Sequence, residues 1–130
     1  CDVSKIILAS ANKFGPSRSD VVFSLDIDKK NTVFRGSDEM WEAIIDNILN
    51  NFMRYAKSQV KITLKNNKII LYNDGPNIDK DVLNNIFTPY EKGVRGVFGL
   101  GLSIVKKTLG LLNYDINIEN VKNGVKFIIS

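Results

Sequence analysis

Apolar positions in this chain alternate between two periods, and the changes of period divide it into elements. Val3, Ile6, Ile7, Ser10, Ala11 and Phe14 recur at helical spacing up to Gly15-Pro16, a pair that predicts the end of a first helix. Val21-Val22-Phe23-Ser24-Leu25-Asp26-Ile27 alternates as a strand does, and Thr32-Val33-Phe34-Arg35 reads as a short partner strand. Between Asp38 and Ala56, the residues Trp41, Ile44, Ile45, Ile48, Leu49 and Phe52 keep the helical period over about four turns. This is the strongest helical pattern in the chain, and Ser37 or Asp38 stands where a cap belongs. Val60, Ile62 and Leu64 then alternate with lysine and threonine before Asn66-Asn67 turns the chain into Lys68-Ile69-Ile70-Leu71-Tyr72, which predicts a hairpin. Asp79 to Phe87 reads as a short helix, and Leu102, Val105, Leu109 and Leu112 mark the core stripe of a longer one. Tyr114 to Glu119 and Val125 to Ile129 form a second hairpin across Lys122-Asn123-Gly124. Helices and hairpins interspersed in this way predict an α+β fold, a two-layer sandwich whose single sheet is covered on one face by helices.

Composition narrows what such a sandwich can do. The chain has 130 residues, 44% of them hydrophobic and 25% charged, so one domain over residues 1–130 with one continuous core is expected. No apolar run approaches the ~20 residues that span a bilayer, and the first residues lack the charged-then-apolar order of a signal peptide. The chain is therefore expected to be a fragment of a longer protein. Its net charge is +4, yet the lysines are scattered over Lys57 to Lys68, Lys106-Lys107 and Lys122 to Lys126 without an aromatic-interleaved stripe. No nucleic-acid partner is expected from that distribution, while a basic surface suits a polyanionic nucleotide. The one cysteine is Cys1, so a disulfide framework is excluded and a reducing compartment is expected. There is no histidine, so the chain offers no imidazole of its own as an acid, base, metal ligand or nucleophile.

Three groups of polar and glycine residues carry candidate chemistry. Asn47 and Asn51 are four apart on the long helix, with Arg54 and Tyr55 a further turn along, so all four can share one edge. Asparagine costs roughly half a kcal/mol against alanine inside a helix. A reason for two on one edge is a hard oxygen ligand for Mg²⁺ beside a cation for phosphate, although a solvent-facing polar edge would look the same. The turn Asn73-Asp74-Gly75-Pro76-Asn77-Ile78 follows the first hairpin, and taken alone it is an Asx-glycine turn joining strand to helix. Finally, Gly96-Val97-Phe98-Gly99-Leu100-Gly101-Leu102 opens the last helix with glycines, where bared backbone amides favour an anion. These glycines follow a loop rather than a strand and lack an acidic residue ~20 positions downstream, which excludes a dinucleotide-binding βαβ unit. No Gly-Lys-Ser/Thr is present, which excludes a Walker A loop.

In order and spacing these groups, together with Ile86-Phe87-Thr88-Pro89-Tyr90, resemble the N, G1, F and G2 boxes of the ATP-binding catalytic domain of bacterial two-component sensor histidine kinases, whose superfamily includes gyrase and the heat-shock chaperone ATPases. The resemblance runs from about Val21 to Ile129. It implies a two-layer sandwich of the Bergerat (GHKL ATPase) type, with a mixed, mostly antiparallel sheet, in which ATP and Mg²⁺ lie between the long helix and a lid. By resemblance Asn51 holds Mg²⁺, Asn47 is an auxiliary asparagine near the phosphates, and Arg54 and Tyr55 match a Lys-Tyr pair that contacts phosphate and ribose. Arginine keeps the charge and adds a fork of donors. The family's adenine-anchoring aspartate is Asn73 here, whose amide oxygen is expected to accept from the adenine amino group without a charge, giving looser binding. Gly75 keeps the family glycine and precedes Ile78, while the second glycine is replaced by Asn77, a residue that tolerates a left-handed backbone better than most.

Phe87, Pro89 and Tyr90 match the F box, and the lid implied by the resemblance is Glu91 to Phe98, with Lys92 where a lid arginine points at the triphosphate and Arg95 as a second cation. Gly99, Leu100, Gly101 and Leu102 match the G2 box, with Val97 replacing a glycine often found there. The implied activity is transfer of the γ-phosphoryl group to a histidine on a separate dimerisation and phosphoacceptor domain of the same kinase, with a response regulator downstream. Asn47, Asn51, Arg54 and Lys92 are the residues expected to carry it. In the gyrase and chaperone branches a glutamate at the Asn47 position activates water, so hydrolysis here is expected to be slow. A cytoplasmic domain of a membrane-anchored parent is also implied, with dimerisation and membrane contact in absent segments. Two other functions fit the same residues: a serine kinase of the anti-sigma-factor type, and a nucleotide-sensing module that has lost catalysis.

Overall fold

The computed structural model describes residues 1–88 and 101–130. Helix α1 spans Val3–Phe14, strand β1 Val22–Ile27, helix α2 Asp38–Tyr55, strands β2 and β3 Gln59–Lys65 and Lys68–Asn73, helix α3 Lys80–Asn84, helix α4 Gly101–Leu111, and strands β4 and β5 Ile116–Val121 and Gly124–Ile129. One sheet runs in the order β1-β2-β3-β5-β4, with β1 and β2 parallel and the other three pairs antiparallel. A parallel pair needs a crossover, and α2 supplies it. That crossover lays α2 on one face of the sheet, where α1 and α4 flank it.

The register explains why only this face is covered. Ile27, Leu64, Ile69, Ile129 and Ile116 form one row across the sheet, and Leu25, Ile62, Leu71, Phe127 and Ile118 the next. Against these rows α2 buries Trp41, Ile44, Ile45, Ile48, Leu49 and Phe52, each worth about 1.5–3 kcal/mol relative to exposure. Phe52 meets Phe127 edge to face, with ring centroids 5.1 Å apart. The third row is different: Phe23, Val60, Asn73, Val125 and Asn120 place a polar residue at its centre and another at its end. The apolar core stops along this row.

Local signals in the sequence account for most boundaries. Ser37 caps α2, its hydroxyl oxygen accepting from the Met40 amide at 3.2 Å, and two acids follow in the first turn. Asn66 and Asn67 have φ of 53° and 59°, the conformation of a tight hairpin turn matched to strand twist. Three expectations need correction. Thr32 to Arg35 forms no sheet strand; an isolated bridge joins Val33 to Asp2, because the Val3 amide donates to Thr32 O and the Phe34 amide to Cys1 O. Phe34 is drawn into the helical layer, its ring 5.5 Å from that of Trp41 and 5.4 Å from that of Tyr114. The helix expected from Asp79 to Phe87 is only Lys80–Asn84, followed by turns, and β4 begins at Ile116 rather than Tyr114. Among the described residues no helix is long and apolar enough to cross a membrane.

Candidate functional site

Where the third row ends the core, a cleft with a cavity volume of about 190 Å³ opens between the C-terminal half of α2, the end of β3 and the chain entering α3. Asn51 and Tyr55, one turn apart on α2, line one wall. Val125 and Phe127 from β5 lie beneath, and Pro76, Asn77, Ile78, Asp79 and Val82 form the opposite wall. Asn73, 4% exposed, is at the base. Apolar walls with a few polar groups are the usual make-up of a small-molecule site.

The turn after β3 is fixed by three sets of hydrogen bonds. Asn73 Oδ1 accepts from the Gly75 amide at 2.9 Å, closing the Asx turn legible in the sequence. Asp74 points away from the cleft and accepts from the amides of Lys57 (2.9 Å), Ser58 (3.0 Å) and Gln59 (3.1 Å), and from Ser58 Oγ at 2.6 Å. Partial burial pushes its carboxyl up, but these donors more than offset that and hold it at about 2. Asp74 therefore locks the α2–β2 connection and does not replace the missing aspartate of the cleft. On the far side, Asn77 Nδ2 donates to Val121 O (3.0 Å) and Gly124 O (2.8 Å). Asn120 accepts from the Ile78 amide and donates to Ile78 O, both at 2.8 Å. The φ of Asn77 is not positive, and its side chain ties the turn to the β4–β5 hairpin.

Gly75 is required for space rather than for conformation. Its φ is not positive, but a Cβ there would lie 2.9 Å from Tyr55 C and 2.7 Å from Asn73 Oδ1, and closer still to Tyr55 O. The turn thus rests directly on the last residue of α2. At Gly101 a Cβ would stand 3.0 Å from Asn47 Oδ1, so α4 starts against α2 at that asparagine.

The residues singled out in the sequence separate accordingly. Asn51, Tyr55, Asn73 and Ile78 line the cleft together, with Gly75 shaping its base. Asn47 is not among the cleft-lining residues: its Nδ2 donates to Ala43 O at 2.7 Å and its Oδ1 faces Gly101. Arg54 is exposed, and the half-buried Tyr55 phenol is raised by burial, an effect that the Arg54 charge opposes. Leu102 is 1% exposed, so its side chain belongs to the core. Pro89, Tyr90, Lys92, Arg95, Gly99 and Leu100 lie outside the described residues. Sequence reasoning missed Asn120, which lies in no motif, and the clamp made by Asp74, which lies in the turn after β3 but whose role depends on distant partners, the separations being 42 and 15–17 positions.

Comparison with known proteins places the chain at the level of family, relative and solved structure. The family model described as histidine kinase-, DNA gyrase B-, and HSP90-like ATPase matches residues 36–130. Sensor histidine kinase CssS of Bacillus subtilis is 37% identical over 118 residues, covering 88% of this chain; the chain spans 26% of that relative's length. The solved catalytic domain of histidine kinase ThkA in a nucleotide-free form superimposes with a TM-score of 0.86 at 22% identity, covering 99% of this chain and 91% of that one. ThkA in complex with the response regulator protein TrrA gives a TM-score of 0.80 at 21% identity, covering 99% of this chain and 40% of that one.

Proposed function

This chain belongs to the family of histidine kinase-, DNA gyrase B- and HSP90-like ATPases, and from that premise we propose that its cleft binds ATP with Mg²⁺ and presents the γ-phosphoryl group to a histidine on a separate dimerisation and phosphoacceptor domain. The observation that supports this reading most is the meeting, in one cleft, of Asn51 and Tyr55 from α2 with the buried Asn73 from β3. Two of the sequence groups, distant along the chain, converge on it.

In this reading the base lies over Val125 and Phe127 with Asn73 at its edge, and Tyr55 faces the ribose end. Asn51 offers a carboxamide oxygen, a hard donor suited to Mg²⁺. Such an ion, when bound, neutralises charge on the phosphates. Arg54, and by sequence position Lys92 and Arg95, supply further positive charge. The start of α4, at Gly101 and Leu102, contributes backbone amides toward the phosphates. An imidazole nitrogen of the acceptor attacks the γ-phosphorus, the bond to the β–γ bridging oxygen breaks, and ADP leaves. Asn47 cannot serve as a base for water, being an amide already donating to Ala43 O, so hydrolysis is slow and the phosphoryl group is reserved for the histidine. A response regulator follows downstream, as the ThkA–TrrA complex illustrates for its own kinase. The chain is one domain of a longer kinase that dimerises, and reaches a bacterial membrane, through other segments.

Titrating ATP with and without Mg²⁺ into this chain and its Asn51→Ala variant tests the site. Mg²⁺ should tighten binding to the wild type by at least about tenfold and leave the variant almost unmoved; an equal gain in both removes Asn51 as the ligand. Acid-labile phosphate on a separately made phosphoacceptor domain completes the test. Serine phosphate on a partner protein, or binding without any transfer, selects one of the two other functions.

A further inference from the structure

The last turn of α2 is held from outside the helix. Ala56 leaves the helical region, with ψ of 136°, once its own amide has closed on Phe52 O at 2.8 Å. The next amide, that of Lys57, would meet Met53 O if the helix went on, but it donates to Asp74 Oδ1 at 2.9 Å instead. Met53 O is thereby one of the orphan carbonyls of a helix C-terminus. Arg18 takes it, donating from Nη1 at 2.9 Å across 35 positions of sequence, and sets a positive charge at the end of the helix where one is favoured.

The guanidinium is fixed in turn. Its Nε donates to Asp20 Oδ1 at 2.8 Å and its Nη2 to Asp20 Oδ2 at 2.7 Å, a fork on a carboxylate two residues along. The segment that carries both residues is anchored as well: the Val21 amide donates to Arg18 O at 3.2 Å, and Val22 begins β1 with its amide on Ser58 O at 2.9 Å. Met53 stands between Asn51 and Tyr55, the two residues that α2 sends into the cleft, whereas Arg18 does not line the cleft. The connection between α1 and β1 therefore reaches the cleft only through the backbone of α2.

We propose that Arg18 is a positioning residue for the nucleotide: by tying Met53 O to the α1–β1 connection it holds the last turn of α2 so that Tyr55 faces the ribose end of the cleft. This role presupposes the nucleotide reading above. A lysine keeps the charge but ends in a compact ammonium, which does not reproduce a planar group that grips Asp20 along one edge and Met53 O with its remaining nitrogen. Geometry and charge are therefore separable by substitution.

Dissociation constants for ATP with Mg²⁺ are measured by calorimetry on the chain, on Arg18→Ala and Arg18→Lys, and on Tyr55→Ala with and without Arg18→Lys. Amide hydrogen exchange at Ala56 follows the last turn of α2 directly, and circular dichroism verifies folding. Both Arg18 variants should bind ATP about threefold to tenfold more weakly than wild type, with faster exchange at Ala56. In the Tyr55→Ala background the lysine substitution should change affinity by less than about twofold, because the side chain that Arg18 holds in place is gone. Lysine as good as arginine would make Arg18 a source of charge only, and an undiminished loss in the Tyr55→Ala background would mean that it does not act through Tyr55. Either result overturns the proposal and leaves the nucleotide reading intact, and the lysine variant decides both even where Arg18→Ala does not fold. A wild type that binds no ATP overturns both the proposal and that reading.

Discussion

Replacing Gly75 and Gly110 by alanine, one at a time, makes the same chemical change in two places where the structure demands opposite outcomes. At Gly75 the new methyl would sit inside van der Waals contact with the Tyr55 carbonyl oxygen, 2.9 Å from its carbon and 2.7 Å from Asn73 Oδ1. Comfortable separations are about 3.5–4 Å, so the turn must withdraw by about 1 Å. Tyr55 cannot yield easily, because it ends α2 and the next residue, Ala56, donates from its amide to Phe52 O at 2.8 Å. Overpacking of this kind costs about 1–3 kcal/mol. For a chain of this length that lowers Tm by roughly 3–12 °C. At Gly110 an added Cβ would meet no heavy atom within 4 Å beyond its own helix backbone and chain neighbours, and the residue is in α4, so alanine should stabilise by about 0.5–1 kcal/mol through helix propensity. Thermal unfolding followed by circular dichroism gives both values, and ATP titration should show weakened binding for Gly75→Ala alone, since its displacement moves Asn73. Equal stability and equal affinity of Gly75→Ala and wild type would refute the argument that this glycine exists to let the turn rest on α2.

Two further outcomes follow from the hydrogen bonds around the cleft. Asp74 has a folded pKa of about 2, below its ordinary value near 3.8, so its contribution to stability is complete above about pH 4 and disappears as pH falls through 2. Urea denaturation between pH 5 and 2 should show Asp74→Asn losing on the order of 1–2 kcal/mol less over that range than wild type, the shift being discounted for partial solvent screening; parallel pH profiles would remove the carboxylate from this role. Asn120→Ala removes both hydrogen bonds to Ile78 at an exposed site, so global stability should change by less than about 1 kcal/mol while the Ile78 amide exchanges its hydrogen faster. Unchanged exchange at Ile78 would mean that the turn is held without Asn120.

The third row of the sheet shows best where sequence stops being sufficient. Asn73 is recognisable as the odd residue of its turn, but the bond its Oδ1 accepts from the Gly75 amide depends on where that amide is set, and so in turn on the end of α2. Similarly, Asn47, Asn51, Arg54 and Tyr55 do share one helix, yet helical spacing alone does not separate Asn51 and Tyr55, which line the cleft, from Asn47, which packs on Gly101. Thr32 to Arg35 misleads because its alternation is real while its pairing partner, the segment before α1, is not a neighbour that any local pattern specifies.

The chain by itself determined its helices, its two hairpins and the face of each that is buried, because these follow from periodicity and from turn residues acting over a few positions. Asn66-Asn67 needed nothing distant to turn, and α2 needed only its stripe of six large apolar residues. The parallel β1–β2 pairing, the clamp of Asp74 on residues 57–59 and the orientation of Asn73 were decided only when the whole chain packed. Each of these depends on two surfaces arriving at hydrogen-bond distance from far apart in sequence, and no local preference of a residue encodes what will stand opposite it.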